Sequence, residues 1–282
     1  NIICPKSELE IFKKNLKFDE FSFFCEDDII TFAKFKTIYE DIKAETSFKY
    51  QIYDRLQWYY QQILKITFTI DFIKNKNNKI TIWDADTIIT KKIKFFDNNY
   101  SIKYGTLFEF NKKYFSTVQF ILNEMPKYYI SSLVQFISLT VDEGIFLLKL
   151  FKINQLKKKD LAIKISNIIL NSVLIKHKDY SESLFSEYEL IGTSNLLNKK
   201  TKQKAIFSLR SGLNGQLTKK QYLIAKLFNV YHVTYEHAHE NKNSRDMLNR
   251  HLSWFKFFKI LFKFYPRFVF KNLVHNIKYY LS

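Results

Sequence analysis

Cysteine is scarce in this chain, with Cys4 and Cys25 the only two among 282 residues. Scarcity on that scale excludes a disulfide-scaffolded secreted domain, and neither thiol has a partner at zinc-ligand spacing. Each lies in a short apolar run near the start, so both read as buried free thiols in a reducing cytoplasm. Glycine (5) and proline (3) are sparse as well, and no glycine-rich loop able to cradle a phosphate occurs. No uninterrupted apolar stretch reaches the length of a membrane span, and "NIICPKSELE" has neither the basic start nor the apolar core of a secretory signal. The expected location is cytoplasmic. Acids are in deficit too, with 27 Asp+Glu against 45 Lys+Arg and a formal net charge of +18. Such a balance implies attraction to nucleic acid, anionic lipid or nucleotide phosphates, and charge alone does not choose among them.

What is abundant builds a core. A hydrophobic content of 46% supports one large α/β domain with a C-terminal appendage. The wealth of Lys, Asn, Ile and Phe points to an AT-rich bacterial genome. "NIICP" reads as a strand, "KSELEIFKKNLK" as a helix, "FSFFCEDD" as a second strand and residues 54–70 as a long helix. The turn "NKNN" then leads into "KITIWDADTIIT" at 79–90. Strand, helix, strand, helix, strand predicts a largely parallel sheet with ligands beyond the carboxyl ends of its strands. Further on, 131–139, 205–211 and 230–239 read as strands, and 142–152, 160–175 and 218–228 as helices.

Asp84 and Asp86 flank Ala85 at the end of that third run. If the strand continues, alternation points both carboxylates to one side, where a divalent cation, Mn²⁺ or Mg²⁺, carrying a substrate diphosphate would hold them together. A turn-capping pair is the plainer alternative. On the 54–70 helix, Trp58, Gln61, Gln62 and Lys65 share one side, and Leu56, Tyr60, Ile63, Leu64 and Thr67 take the other. The spacing predicts one face on a sheet and the other open to solvent or ligand.

"RLQWYYQQILKI" followed by "TIWDADTII" resembles the W-Y-x-Q-Q-x-L-K helix and D-A-D strand of a family of bacterial glycosyltransferase-like proteins, many from surface-polysaccharide gene clusters. "NIICPKSE", "FSFFCEDD" and "FSEYELIGT" fall in the family's order, so the resemblance covers about residues 1–240. It implies an α/β, GT-A-like Rossmann-type mixed sheet flanked by helices, spanning 1–249. It also implies a metal-dependent transfer from a nucleotide-sugar donor to a surface glycan such as lipooligosaccharide or capsule. Under it, Asp84 and Asp86 become metal and donor residues, and Arg55, Gln62 and Lys65 candidates for the donor site. Glu187 and Glu189 in "SEYEL" would share a face of an extended segment and are the candidate catalytic carboxylates; for either one alone, capping a helix or pairing with a surface lysine is the plainer alternative. His237 or His239 in "YHVTYEHAHE" could complete the metal shell; His232 belongs to the same cluster. Arg210 is a weaker phosphate candidate.

Residues 250–282 stand apart from the family pattern, with seven basic residues, Arg250, Lys256, Lys259, Lys263, Arg267, Lys271 and Lys278, and no acid. If helical, they form a basic stripe beside an aromatic face, with Pro266 kinking or dividing the helix. Peripheral contact with an anionic membrane, on the inner face of the cytoplasmic membrane, is the expected use. Packing of the aromatics on the main domain is the alternative. Two other function classes compete: a nucleic-acid-binding protein using the +18 charge, and a nucleotidyl or phosphoryl transferase using the same two aspartates.

Overall fold

The computed structural model describes residues 1–16, 20–46, 53–76, 78–98, 100–126, 130–153, 157–177, 183–198, 202–209, 217–234 and 252–280, with 53–54, 202 and 275–280 by backbone alone. The chain is mixed α/β and divides into two compact units that each draw on separate stretches of sequence.

The first unit comprises Asn1–Ile80, Asn111–Met125 and Thr140–Asn198. Its strands β1 (Ile2–Cys4) and β2 (Phe23–Cys25) pair in parallel, and Cys4 sits opposite Cys25 as a free thiol. Burial, then the neighbouring Cys25, pushes the Cys4 thiol's pKa up, which keeps it protonated and unreactive. The rest is helical: α1 (Leu9–Asn15), α2 (Phe32–Thr46), α3 (Tyr53–Lys76), α4 (Lys112–Leu122), α5 (Val141–Leu150), α6 (Lys158–Lys176) and α7 (Glu187–Leu197). Local chemistry starts several of them. Asn111 accepts from two backbone N–H groups of α4, and Thr140 with Glu143 closes a capping box on α5.

Helix α3 departs from the two-faced expectation. It is buried from Tyr59 to Ile70 except at Gln61 and Lys65, because α2, α5, α6 and α7 all pack on it. A helix apolar on most sides is a core element, not a sheet-backed surface helix. Trp58, half-buried, stacks on Tyr114 of α4 at 6.1 Å between ring centroids.

A buried histidine ties α4 to α6. The Thr117 hydroxyl donates to the Leu184 carbonyl at 2.6 Å and lies 2.7 Å from His177 Nε2, from which it accepts. Burial first, then the Lys176 charge, lowers the His177 pKa from its ordinary value. The unfolded chain then takes up the proton first, so this site's stabilisation is full above the ordinary imidazole pKa of about 6.5 and is lost as pH falls through it. His177→Gln keeps a donor toward Thr117 and removes the proton site. Between pH 7 and 5 the parent's urea midpoint should therefore fall more than the variant's; parallel slopes would show that His177 contributes nothing to acid sensitivity.

The second unit comprises Thr81–Phe110, Pro126–Leu139 and Lys199–Ser282. Strand β3 (Ile80–Trp83) pairs with β7 (Phe136–Leu139). Strand β10 (Val230–Thr234) lies between β4 (Thr87–Ile89), antiparallel, and β9 (Phe207–Leu209), parallel. Strand β6 (Tyr100–Gly105) lies between β5 (Phe96–Asp97), antiparallel, and β8 (Lys202–Ala205), parallel. The single largely parallel sheet expected of the first three strands is not what forms among the described residues: β1 and β2 pair in parallel, β3 pairs instead with β7, and the other two sheets are mixed, with parallel pairs at β6–β8 and β9–β10 and antiparallel ones at β4–β10 and β5–β6. Gly105 is required by close approach, since a Cβ there would lie 2.7 Å from the Ile130 side chain and 2.8 Å from the Ser131 carbonyl.

Helices α8 (Lys219–Leu227) and α9 (Trp254–Tyr280) complete this unit. The segment set apart by its composition is thus joined to a core: Phe257, Leu261 and Phe268 of α9 are buried with Phe207, Leu209 and Val233. Pro266 neither divides nor ends α9. It lies on the exposed side with Phe262, whose carbonyl would otherwise have met its missing N–H, and water can take that bond instead. Among the described residues no helix is long and apolar enough to cross a membrane.

Candidate functional site

Asp84 and Asp86 do not continue the strand. β3 stops at Trp83, residues 84–86 form a turn, and β4 begins at Thr87. Thr87 N–H closes the turn on the Asp84 carbonyl at 3.1 Å, so strand alternation does not govern where the two acids point. Both still stand at the carboxyl end of β3, Asp84 half-buried and Asp86 exposed.

The turn is clamped from three sides within its own unit. Asp84 N–H donates to the Gln135 carbonyl at 3.0 Å, Gln135 itself having left-handed backbone, φ 63°. Trp83 Nε1–H donates to the Thr87 carbonyl at 3.0 Å while its ring stacks on Phe136 at 5.1 Å. Thr87 pairs with Thr234 across the β4–β10 ladder, their hydroxyls 3.0 Å apart. Trp83, Gln135 and Thr234 are supports that sequence reasoning missed. Trp83 was visible as the residue before Asp84; nothing local marks Gln135 or Thr234.

Two carboxylates on a clamped, accessible turn fit a hard divalent cation, which takes oxygen ligands and keeps several waters and substrate phosphates in its shell. Among the described residues no group of three or more His, Cys, Asp or Glu side chains is placed to hold a metal. A third protein ligand would come from elsewhere. His237 and His239 lie outside the described residues, as does Arg210. His232 is fully buried, meets the Phe136 ring edge-on and has Nδ1 3.3 Å from the Thr234 hydroxyl, so its place is in the core.

Glu187 and Glu189 correct a second expectation. They begin helix α7 and are not on an extended segment, so they do not share a face. Ser186 is the N-cap, its hydroxyl accepting from Glu189 N–H at 3.4 Å. Both acids are buried. The helix N-terminus explains acids at these positions, since its unpaired N–H groups favour negative charge.

One stripe of α3 holds this start. The Tyr59 hydroxyl accepts from Leu184 N–H at 2.8 Å, Gln62 Oε1 accepts from Glu187 N–H at 2.8 Å, and Lys65 Nζ pairs with Glu187 Oε1 at 2.8 Å. Lys65 also lies 5.1 Å from the Tyr188 ring centroid. Burial pushes the Tyr59 phenol pKa well up, so it remains a neutral hydroxyl. The "WYYQQILK" and "SEYEL" segments therefore touch each other: residues 59, 62 and 65, at helical spacing, organise the first turn of α7. Gln62, buried, is engaged in this contact, and Lys65 is taken by an ion pair. Of the three donor candidates on α3, Arg55 is half-buried in its first turns.

The structure thus brings Gln62 and Lys65 onto Glu187 in the first unit, with Glu189 in the same first turn of α7, and Asp84 with Asp86 in the second. Comparison with protein-family models, curated proteins and solved structures finds no match to this chain.

Proposed function

We propose that the protein is a metal-dependent glycosyltransferase of GT-A type, moving a sugar from a nucleotide-sugar donor to a bacterial surface glycan. The observation that carries this reading is the Asp84–Asp86 turn, fixed at the carboxyl end of β3 by Gln135, Trp83 and Thr87. The mixed α/β architecture is compatible with it. With 5 glycines and no phosphate-cradling loop, the chain needs another way to neutralise a diphosphate, and a carboxylate-held cation supplies one.

Asp84 and Asp86 would hold Mn²⁺ or Mg²⁺. Bound there, the cation would neutralise the donor diphosphate and ease its departure. His237 and His239, outside the described residues, are the candidates for a further ligand. On α3, Gln62 and Lys65 serve to position α7. In the reaction the anomeric carbon exchanges its bond to the diphosphate oxygen for one to the acceptor oxygen. The acceptor's proton passes to a general base, and the nucleoside diphosphate leaves.

The test is a panel of nucleoside-diphosphate sugars incubated with the purified chain and Mn²⁺, Mg²⁺ or EDTA, with release of nucleoside diphosphate as readout. Cleavage of one donor class with metal and none with EDTA is expected. Equal rates in EDTA, or no cleavage of any donor, would refute the reading.

A further inference from the structure

Charge in this protein is not spread evenly. Residues 190–235 contain no acid and neither do residues 247–282; only Glu236, Glu240 and Asp246 stand between them. Most of the +18 excess thus belongs to the last third of the chain, which supplies α8 and α9 of the second unit.

Helix α9 has more apolar surface than its core uses. Phe257, Leu261 and Phe268 are buried, yet on the opposite side Phe255, Phe262, Val269 and Leu273 remain 79%, 57%, 50% and 58% exposed. Those four recur at steps of seven, seven and four residues and so line one side of the helix. They span about 27 Å at the helical rise. Lys259, Lys263 and Arg267, at four-residue steps, form an exposed row directly alongside.

Helix α8 continues the surface. Leu223 and Leu227, one turn apart, are 58% and 83% exposed, and Lys219, Lys220 and Lys226 are exposed around them. Phe228 meets Phe262 edge-on at 5.8 Å between centroids, which joins the two apolar rows into one patch. Folding has already buried what the core could take, and a row of large apolar side chains left in water calls for a further partner.

We infer that the α8–α9 face is a docking surface for an anionic lipid bilayer, with α9 lying in the interface plane, its Phe255–Leu273 row among the acyl chains and its basic row against the headgroups. Charge complementarity selects this occupant. A second copy of the chain would set one acid-free basic surface against another, which is repulsive. Nucleic acid would match the charge and could stack on Phe255 and Phe262, but Leu223, Leu227, Val269 and Leu273 offer bases nothing to stack on, whereas acyl chains suit all six. The basic row adds attraction that salt screens.

Co-sedimentation of the full chain with vesicles tests this. Binding to vesicles of phosphatidylglycerol mixed with phosphatidylcholine is expected, weakening with salt, with little binding to phosphatidylcholine alone. Joint replacement of Lys259, Lys263 and Arg267 by Glu should weaken binding about a hundredfold or more. Joint replacement of Phe255, Phe262, Val269 and Leu273 by Ser should weaken it about tenfold or more. Both sets lie on exposed positions, and thermal melts by circular dichroism should match the parent. Binding that survives either set overturns the inference. So does a dimer that the Ser variant dissociates, or oligonucleotide binding tighter than vesicle binding and lost with the same residues. No sugar donor enters the measurement, so its outcome is separate from that of the transfer reading.

Discussion

Asp86→Asn and Asp84→Asn should each lower metal-dependent sugar transfer about a thousandfold, the loss of several kcal/mol of charge stabilisation, while leaving the fold intact. Asparagine is the informative replacement. It serves a turn as well as aspartate does, so a structural role for the pair would survive the change, whereas a neutral amide is a poor ligand for a hard cation. Asp86 is exposed, its Oδ1 accepts from the Thr87 hydroxyl at 3.3 Å in a bond that an asparagine oxygen keeps, and the backbone bonds of the turn use Asp84 together with Trp83 and Thr87. Melting temperatures should therefore change little. Calorimetry with Mn²⁺ and nucleoside diphosphate should lose its signal in both variants. Parental turnover in either would remove the pair from the site.

The second large effect falls on stability. Lys65→Ala should destabilise the protein by about 2–3 kcal/mol, because it leaves the Glu187 carboxylate, its side chain 4% exposed, without its cation. A value below the usual range of about 3–5 kcal/mol applies since the lysine side chain is itself 22% exposed. Glu187→Gln removes the stranded charge, so the double variant should recover part of the loss, and a double-mutant cycle in urea measures the coupling. The same variants separate a chemical role from a positioning one. If a carboxylate of α7 takes the acceptor's proton, Glu187→Gln or Glu189→Gln should cut transfer by about 10²–10⁴ at temperatures where the protein is fully folded, with donor binding unchanged. A rate that merely follows the folded fraction in both would make the first turn of α7 a structural element.

Secondary structure was legible where local chemistry is strong. The apolar spacing of 54–70 and 160–175 predicted α3 and α6, and the β-branched run before Asp84 predicted β3. The segment at 187–189 had a signal of its own: Ser186 followed by Glu189 three residues on is the pattern of a helix start, and it outweighs the alternation read there. At Asp84–Asp86 the strand and the turn were both compatible with the residues, since aspartate ends strands and makes turns alike.

What the sequence determined by itself is therefore a part of the elements, α3, α6 and β3 among them, with the acid pair at the end of β3 and the basic character of the last third, because these depend on neighbours within a few residues. Tertiary structure decided which side chains answer to which. Lys65 meets Glu187 across 122 residues of chain, so no local pattern could reveal that the polar stripe of α3 is spent on the start of α7. It likewise decided which aromatics of α9 are core and which remain outside. Phe257 and Phe255 are two phenylalanines two positions apart, one buried and one 79% exposed. Their difference lies in where the β9–β10 core offers contact, a matter of packing between distant segments that composition does not encode.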